Sequence, residues 1–260
     1  MRLKGKTAII TGATGGIGRC LVEGFIQEGC RVAVADIDQK AIKIFCDELN
    51  SKYGDVAIPI YMDVSDEASV NSAFDVCMQA LHKIDILISN AGIQHLSPII
   101  DFAYKDWQRV LKICLDGCFF TAKRAMEEMK KTGGGSILFM GSLRSKIGGR
   151  NNSAYVAAKH AILGFNRVLA TEGADFNIRS NVLCPDYILT PLVEKQIVQL
   201  MQEHKMSRQE VITKIMLPET VDGQFTTVDD VKNVALFFAS FPTNALTGQS
   251  LLISHGWGMG

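Results

Sequence analysis

The chain has 260 residues, of which 47% are hydrophobic and 21% are charged, and its 27 basic residues balance its 27 acidic residues. This composition predicts a globular chain that can bury a substantial core. The zero formal net charge and the lack of a basic or acidic block argue against a nucleic-acid partner and favour a small-molecule ligand.

Short apolar runs alternate along the chain with longer segments of helical periodicity. The apolar runs are continuous rather than strictly alternating, which predicts strands buried on both faces. Repeated strand–helix order predicts a parallel sheet with right-handed crossovers, and therefore one doubly wound α/β domain over residues 1–260. The predicted strands are 7–10, 31–35, 57–62, 84–89, 135–140, 179–183 and 249–253; the predicted helices are about 16–28, 39–51, 67–82, 105–130, 153–172 and 228–239.

Residues 190–224 break this order because they carry a helical pattern and no strand signal. We expect two helices here, inserted between the last two strands and lying above the carboxyl edge of the sheet. Two interpretations remain open. The segment is either a structural helical hairpin or a mobile lid over a ligand, and its position slightly favours the lid.

A glycine-rich run lies between the first predicted strand and the first predicted helix. Glycines let a backbone turn sharply and approach a pyrophosphate, whose negative charge is attracted by the helix N-terminus. A glycine cluster alone is often only a turn, but this placement is the one that dinucleotide binding requires. The predicted phosphate-binding residues are Gly12, Thr14, Gly15, Gly16, Ile17 and Gly18.

Asp36 falls at the end of the second predicted strand, eighteen residues after Gly18. A carboxylate at this spacing accepts hydrogen bonds from both hydroxyls of an adenosine ribose and would repel a 2′-phosphate, which favours NAD over NADP. Asp63 and Val64 follow the third predicted strand and are placed to contact adenine. A helix cap before Ser65 is nearly as good an interpretation of Asp63.

Tyr155 and Lys159 are four residues apart in a predicted helix, so both side chains lie on one face. A nearby ammonium favours the phenolate and lowers the pKa of tyrosine. Lowering that pKa from about 10 by about two to three pH units, roughly 3–4 kcal/mol, would give a usable base near neutrality. On its own, a tyrosine and a lysine at this spacing are usually two side chains on the surface of a helix. Ser142 lies thirteen residues upstream of Tyr155.

Seven cysteines are scattered along the chain without Cys-x-x-Cys spacing. This argues against a disulfide framework or a metal site and predicts reduced thiols in the cytoplasm. The N-terminus runs directly into a strand-like segment, which leaves no room for a signal peptide. No apolar run approaches the ~20 residues of a membrane span.

Four motifs together resemble the short-chain dehydrogenase/reductase family over essentially all of the chain. They are Thr-Gly-x-x-x-Gly-Ile-Gly at 11–18, Asn90-Ala91-Gly92, Ser142, and Tyr155-x-x-x-Lys159. The resemblance implies a Rossmann-type sheet of seven parallel strands, usually in a homotetramer. It implies that Tyr155 is the general acid/base, that Lys159 lowers its pKa and holds the nicotinamide ribose, and that Ser142 orients the substrate oxygen. It also implies that Asn90, Gly92, Pro185 and Thr190 contact the cofactor.

A narrower resemblance concerns one group of that family, the bacterial D-3-hydroxybutyrate dehydrogenases. The similar stretches are 90–95, 153–160, 190–197 and 256–257. In that group polar side chains bind the carboxylate of a short 3-hydroxy acid beside an aromatic wall. Gln94 and Gln196 match two carboxylate-binding positions, with ordinary surface amides as the alternative, and Trp257 matches a wall residue.

Several residues depart from these patterns. Cys114 stands where the family usually has an asparagine that helps to hold a water between the lysine and solvent, so we expect a slowed or rerouted proton relay. Arg144 and Asn152 replace a histidine and a lysine, which leaves one cation able to grip a carboxylate bidentately. Tyr187 replaces a tryptophan of the aromatic wall. Asp186 replaces the glycine of the usual Pro-Gly, and Ser254-His255-Gly256 replaces Asp-Gly-Gly.

We therefore expect an NAD-dependent oxidoreductase that interconverts a short 3-hydroxy acid and its 3-oxo acid, with D-3-hydroxybutyrate and acetoacetate as the first candidates. Two alternatives stay open. One is a dehydrogenase of the same family that acts on another alcohol, a sugar or a 3-oxoacyl substrate. The other is an NAD-binding regulatory protein with little catalysis.

Overall fold

The structure, a computed structural model, describes residues 1–189 and 191–259. The strands within these ranges are β1 (Thr7–Thr11), β2 (Arg31–Asp36), β3 (Ala57–Tyr61), β4 (Ile86–Ser89), β5 (Gly135–Met140), β6 (Ile178–Pro185) and β7 (Ser250–Ile253). They form one sheet in the order β3-β2-β1-β4-β5-β6-β7, and all neighbouring strands pair in parallel. The predicted Rossmann-type sheet of seven parallel strands is confirmed.

Helices connect the strands and cover both faces of the sheet. They are α1 (Gly16–Gln27), α2 (Gln39–Tyr53), α3 (Glu67–Leu81), α4 (Tyr104–Leu111), α5 (Gly117–Thr132), α6 (Ser153–Glu172), α7 (Pro191–His204), α8 (Arg208–Val211) and α9 (Val228–Ala239). Side-chain caps start several of them: Asp38 accepts from the N–H of Ala41, and Asp66 accepts from the N–H of Ala68. These caps satisfy N–H groups that the first turn of a helix leaves unpaired.

The core lies in two layers, one on each face of the sheet. Alternate residues of β1 belong to different layers, since Ile10 packs among α1, α2 and α9 while Ile9 packs among α3, α5 and α6. All residues of β1 are buried, as the continuous apolar run predicts. Within the described ranges no helix is long and apolar enough to cross a membrane.

Two helical regions differ in detail from the sequence prediction. The helix predicted over 105–130 is divided by a π-helical segment, Lys112–Asp116, between α4 and α5. The helical segment predicted before the last strand is present as α7, α8 and a second π-helical segment, Ile212–Met216. A π-helical turn inserts one residue and shifts the side chains that follow it, and such turns are frequent at functional sites.

The order of the strands places a crevice at one edge of the sheet. The chain leaves β1 toward β2 on one side and returns to β4 on the other, so the connections that follow β1 and β4 diverge at their carboxyl ends. In open α/β sheets this divergence is where ligands bind.

Candidate active site

The connection from β1 to α1 brings backbone close to a neighbouring loop. Gly12 has a φ of +61°, and a Cβ on it would lie 2.9 Å from the Cα of Ala91. A Cβ on Gly18 would lie 2.1 Å from the carbonyl oxygen of Gly12, so both positions require glycine. Among the described residues, no side chain caps the N-terminus of α1, which leaves its first N–H groups to hold an anion such as a pyrophosphate.

Asp36, at the end of β2, is held against the glycine-rich loop. The Oδ2 atom of Asp36 accepts two hydrogen bonds from Thr14, one from the backbone N–H at 3.0 Å and one from the side-chain hydroxyl at 2.7 Å. The Oδ1 atom of Asp36 accepts a hydrogen bond from the N–H of Ile37 at 2.8 Å. The N–H of Asp38 is a fourth, longer donor to Oδ1 at 3.4 Å, so the hydroxyl groups of a bound ribose would share the carboxylate with these donors or displace the longest one.

Asn90, directly after β4, ties that strand to the same loop. Its side-chain N–H₂ donates to the carbonyl oxygens of Thr11 at 2.9 Å and Gly12 at 3.1 Å. The backbone N–H groups of Asn90 and Ala91 both donate to the Thr11 hydroxyl, at 3.0 and 3.1 Å. The loop after β4 is therefore fixed against the loop after β1, which sets the width of the crevice between them.

Cys114 also contacts the loop that follows β4. The residue lies in the π-helical segment and is fully buried. Its Sγ accepts a hydrogen bond from the N–H of Ile93 at 3.4 Å and donates to the carbonyl oxygen of Ile93 at 3.3 Å. The thiol thus bridges both backbone groups of one residue, and its role in proton transfer stays a prediction.

Tyr155 and Lys159 project from α6 toward this crevice. Lys159 is buried, its Nζ donates to the carbonyl oxygen of Met140 at 2.6 Å, and it lies 5.3 Å from the centre of the Tyr155 ring. Burial alone would lower the pKa of Lys159, but interaction with the acidic groups of Tyr155 and of nearby cysteines raises that pKa overall. The four-residue spacing has therefore placed an ammonium group beside a phenol, as predicted.

One cavity of about 810 Å³ contains most of the predicted cofactor residues together with the Tyr155–Lys159 pair. The predicted residues in its wall are Gly12, Thr14, Gly15, Gly16, Ile17, Gly18, Asp36, Asp63, Val64, Asn90, Gly92, Gln94, Tyr155 and Lys159. Glycine backbone at one point, a carboxylate at another and a phenol–ammonium pair at a third fit the phosphates, ribose and nicotinamide end of a dinucleotide.

The sequence prediction missed part of this wall. Ile37, Met62, Ala91, Ile93, Ile113 and Met140 also line the cavity. Ile37, Met62, Ala91 and Met140 lie at or just after the carboxyl ends of strands, where ligands of parallel sheets are expected. Their position at the ends of strands could therefore have identified these residues as part of the cavity wall. Their apolar side chains could not, because apolar residues are also common in the core.

Ser142 follows β5 and begins a short 3₁₀ turn, Leu143–Ser145. Its hydroxyl accepts a hydrogen bond from the N–H of Arg144 at 3.2 Å, and its own N–H donates to the hydroxyl of Ser145 at 3.2 Å. This reciprocal capping box fixes Ser142 at the carboxyl edge of the sheet. Within the described residues, Ser142 is not part of the wall of the 810 Å³ cavity.

Three of the predicted substrate residues form a second group, which we call the Arg144 cluster: Arg144, Tyr187 and Trp257, together with Asp186. The guanidinium carbon of Arg144 lies 5.7 Å from the centre of the Trp257 ring, and that ring lies 6.2 Å from the ring of Tyr187. Burial raises the pKa of the Asp186 carboxyl to about 6, although the N–H of Tyr187 and the charges of Arg144 and His255 act in the opposite direction.

Of the other predicted residues, Asn152, Gln196 and Pro185 are not in the wall of the cavity formed by the described residues. Asn152 is buried before α6, and its side-chain oxygen has no hydrogen-bond partner among the described residues. Gln196 is a half-buried residue of α7. Pro185 ends β6 without joining the cavity wall of the described chain, and Thr190 lies outside the described residues.

His255, in the turn after β7, anchors the C-terminal segment. It has a φ of +48°, and its Nδ1 lies 2.8 Å from Oδ2 of Asp222. Ser254-His255-Gly256, which replaces the usual Asp-Gly-Gly, therefore forms a turn that is held by the contact between His255 and Asp222. Across residues 1–189 and 191–259, no group of three or more His, Cys, Asp or Glu side chains is arranged to hold a metal ion.

Comparisons with known proteins relate this arrangement to one family. The family model described as short chain dehydrogenase matches residues 6–200. D-beta-hydroxybutyrate dehydrogenase of Rhizobium meliloti (strain 1021) is 31% identical over 97% of this chain and 98% of that protein.

Two solved structures have a similar fold. Sorbitol-6-phosphate 2-dehydrogenase of Erwinia amylovora has a TM-score of 0.93 and 29% identity, over 97% of this chain and 100% of that chain. The 3-ketoacyl-(acyl-carrier-protein) reductase of Brucella melitensis, complexed with NADH, has a TM-score of 0.86 and 25% identity, over 99% of this chain and 100% of that chain. The names of these relatives cover three substrate classes.

Proposed function

Because this chain belongs to the short chain dehydrogenase family, we propose that it is an NAD-dependent oxidoreductase that interconverts a short 3-hydroxy acid and its 3-oxo acid. D-3-hydroxybutyrate and acetoacetate are the first candidates. Members of the family are oxidoreductases that bind a nicotinamide cofactor and act on small molecules. The observation that carries the proposal is the phenol–ammonium pair of Tyr155 and Lys159 in one cavity with the glycine-rich loop and Asp36.

In this proposal Tyr155 handles the proton of the reaction. During oxidation its phenolate oxygen accepts the hydroxyl proton of the substrate, and during reduction its phenol returns that proton to the carbonyl oxygen. Lys159 stabilises the phenolate because its ammonium is held beside the ring by the Met140 carbonyl. Ser142 donates a hydrogen bond to the substrate oxygen. A bound nicotinamide supplies the acceptor for the hydride that leaves the carbinol carbon.

The carboxylate of the substrate is assigned to Arg144. Its guanidinium is half-buried and faces the ring of Trp257, so a carboxylate reaching it meets a fixed donor pair. Gln94 and Gln196 add amide donors, and Asn152 supplies one polar group. Tyr187 and Trp257 enclose the short carbon chain, and the helical segment that starts at α7 covers it.

The choice of NAD over NADP is assigned to Asp36. Its carboxylate is fixed by Thr14 and Ile37, so it cannot swing away from a ribose without losing those hydrogen bonds. A 2′-phosphate would place negative charge against it, whereas free hydroxyl groups find an acceptor.

Arg144→Ala tests the acid substrate. We expect the KM for acetoacetate to rise by about 30- to 150-fold, which corresponds to about 2–3 kcal/mol, because the carboxylate loses a charged donor. Turnover of neutral alcohols should not change. Arg150→Ala is the matched control, since Arg150 is an exposed cation in the same connection between β5 and α6.

The same assays decide between this substrate class and its alternatives. Steady-state rates are measured with short 3-hydroxy and 3-oxo acids, neutral alcohols and 3-oxoacyl thioesters, each with NAD(H) and with NADP(H). Equal losses on neutral and acidic substrates in Arg144→Ala, or turnover of neutral substrates alone, would refute an acid-binding role.

A further inference from the structure

The Arg144 cluster contains a cation and an anion that do not pair with each other. Arg144 lies close enough to Asp186 for its charge to stabilise the carboxylate. Among the described residues, however, neither side chain has an oppositely charged partner within 4.0 Å. Two such groups in direct contact would neutralise each other, whereas two that are separated can each attract an opposite charge of a ligand.

The backbone holds Asp186 in place and leaves its charge poorly compensated. Its N–H donates to the carbonyl oxygen of Ile253 at 3.0 Å, which fixes the residue between β6 and β7. Its carboxylate is half-buried, and the nearby N–H of Tyr187 only partly offsets the effect of burial on its pKa. A buried carboxylate normally takes several donors or a cation. Asp186 therefore offers an anionic position to a ligand.

The charged groups around Asp186 do not fill this position. His255 also lies near the carboxylate, but its Nδ1 is engaged by Asp222 at 2.8 Å. Arg144 is directed elsewhere, because its guanidinium donates to the carbonyl oxygen of Gly148 and lies over the Trp257 ring. Both candidate cations thus have other partners.

Two aromatic rings belong to the same cluster as Asp186. Tyr187 follows Asp186 in the chain, and its ring lies 6.2 Å from that of Trp257 with an angle of 40° between the planes. The faces of such rings attract ammonium groups, including alkylated ones. A carboxylate and two aromatic rings in one cluster are a recognition chemistry for organic cations.

We propose that the substrate is a zwitterion, a short 3-hydroxy acid that carries an ammonium group, with Arg144 binding its carboxylate and Asp186 binding its ammonium. This inference rests on the proposed function and narrows its substrate class. The ammonium takes no part in the chemistry. The carbinol carbon still loses its hydride to the nicotinamide and its hydroxyl proton to Tyr155, so the products are the ammonium-bearing 3-oxo acid and the reduced cofactor.

The test compares substrates that differ in this one charge. Rates of NAD⁺ reduction at pH 8 are measured with 3-hydroxybutyrate, 4-amino-3-hydroxybutanoate and 4-trimethylammonio-3-hydroxybutanoate. The wild-type protein should favour at least one ammonium-bearing acid over 3-hydroxybutyrate by about tenfold or more in kcat/KM, since an uncompensated charge gains a partner only from the zwitterion.

Two variants assign the preference to Asp186. Asp186→Asn keeps the shape of the side chain and removes its charge, and Asp186→Gly restores the residue usual in the family. In both variants we expect the KM for the ammonium-bearing acid to rise until the preference disappears. The kcat/KM for 3-hydroxybutyrate should be unchanged or higher. Glu219→Gln is the control, because Glu219 is exposed and has the same formal charge.

The outcomes separate this inference from the proposed function. If the wild-type protein oxidises 3-hydroxybutyrate as well as or better than both zwitterions, or if both variants lose all three acids in proportion, the inference is wrong and the proposed function stands. If no acid is oxidised while neutral alcohols are, both are wrong.

Discussion

Asp36 and Asp186 both stand at the carboxyl edge of the sheet, and their surroundings give them different properties. Asp36 receives hydrogen bonds from Thr14 and Ile37, which stabilise its negative charge. Burial raises the pKa of Asp186 to about 6, and the nearby N–H of Tyr187 and charges of Arg144 and His255 offset this only in part. Burial with few donors therefore leaves Asp186 as a carboxylate whose charge a ligand can stabilise.

The raised pKa of Asp186 predicts a pH-dependent cost in stability. The folded protein binds this proton more tightly than the unfolded chain, where the pKa is near 3.8, so Asp186 lowers the free energy of unfolding as pH rises from about 4 to about 6. Asp186→Asn removes that ionisation. We expect the variant to gain stability relative to wild type across this window and to hold a constant advantage above about pH 7.

Urea unfolding of both proteins between pH 4.5 and 8 measures this difference. Arg144 and His255 face the same carboxylate and are present in both proteins, so their own titration largely cancels in the comparison. Glu219→Gln, on an exposed position, should show no such pH-dependent advantage. A difference that shrinks or stays flat from pH 4.5 to 6.5 would contradict the assignment.

Residue spacing was sufficient to place the polar residues that share the main cavity. The glycine-rich loop, Asp36 and the Tyr155–Lys159 pair are each defined by local sequence, and each lies in the wall of the same cavity. The contact between Cys114 and Ile93 joins residues 21 positions apart, so no local pattern could have shown it. Nor could sequence spacing show that Arg144 faces Trp257 rather than Asp186.

At the scale of elements, the π-helical segment between α4 and α5 is the main departure from the predicted helix. The sequence predicts one helix over 105–130 because the segments on both sides of the insertion each carry helical periodicity. In the structure this segment carries Cys114 to the backbone of Ile93. The interruption therefore serves to support the loop that follows β4.

We expect the Cys114 thiol to affect stability and cofactor binding through the loop that follows β4. Cys114→Ala removes both hydrogen bonds to Ile93 and should lower the free energy of unfolding by about 1–2 kcal/mol, because two buried backbone groups lose partners. Since Gly92 and Gln94 of this loop line the cavity, the KM for NAD⁺ should also rise. Cys114→Ser, whose hydroxyl can donate and accept, is expected to retain both properties.

Thermal or urea unfolding and steady-state kinetics of these variants test this role, and Cys118→Ala serves as the control. Cys118 lies one helical turn away, and its thiol donates to the carbonyl oxygen of Cys114 rather than to the loop. If Cys114→Ala binds the cofactor like wild type, the thiol does not position the loop. A faster turnover in Cys114→Asn would instead locate its effect in the proton relay.

The helical segment before β7 packs mainly on its own apolar residues. Val193 and Ile197 of α7 contact Val211 and Met216, and Tyr187 packs against this cluster. An isolated bridge between Ile188 and Thr226 joins the two ends of the segment, and the Thr226 hydroxyl donates to the carbonyl oxygen of Ile253 in the edge strand β7 at 2.9 Å. The helical segment therefore reaches the Arg144 cluster through Tyr187, while the choice between a lid and a fixed hairpin stays a prediction.

At the scale of the whole molecule, parallel topology explains why distant motifs meet. Every strand of the sheet ends at the same edge, so the segments that follow β1, β2, β4 and β5 converge there. Continuous apolar runs in the sequence were enough to predict this sheet, because strands covered on both faces need no polar alternation. The single domain, the homotetramer and the cytoplasmic location stay predictions, since they depend on relations that this chain alone does not contain.

The most direct test of the account is NAD⁺ reduction by the wild-type protein and by Tyr155→Phe, measured with the 3-hydroxy acids above, alongside NADH binding followed by fluorescence. We expect wild-type turnover of an acid and a loss of about 10²- to 10⁴-fold in Tyr155→Phe, because the phenyl ring cannot accept the hydroxyl proton. NADH affinity should change little, since the glycine-rich loop and Asp36 are intact. Substantial turnover in Tyr155→Phe would contradict the central claim that this phenol handles the proton.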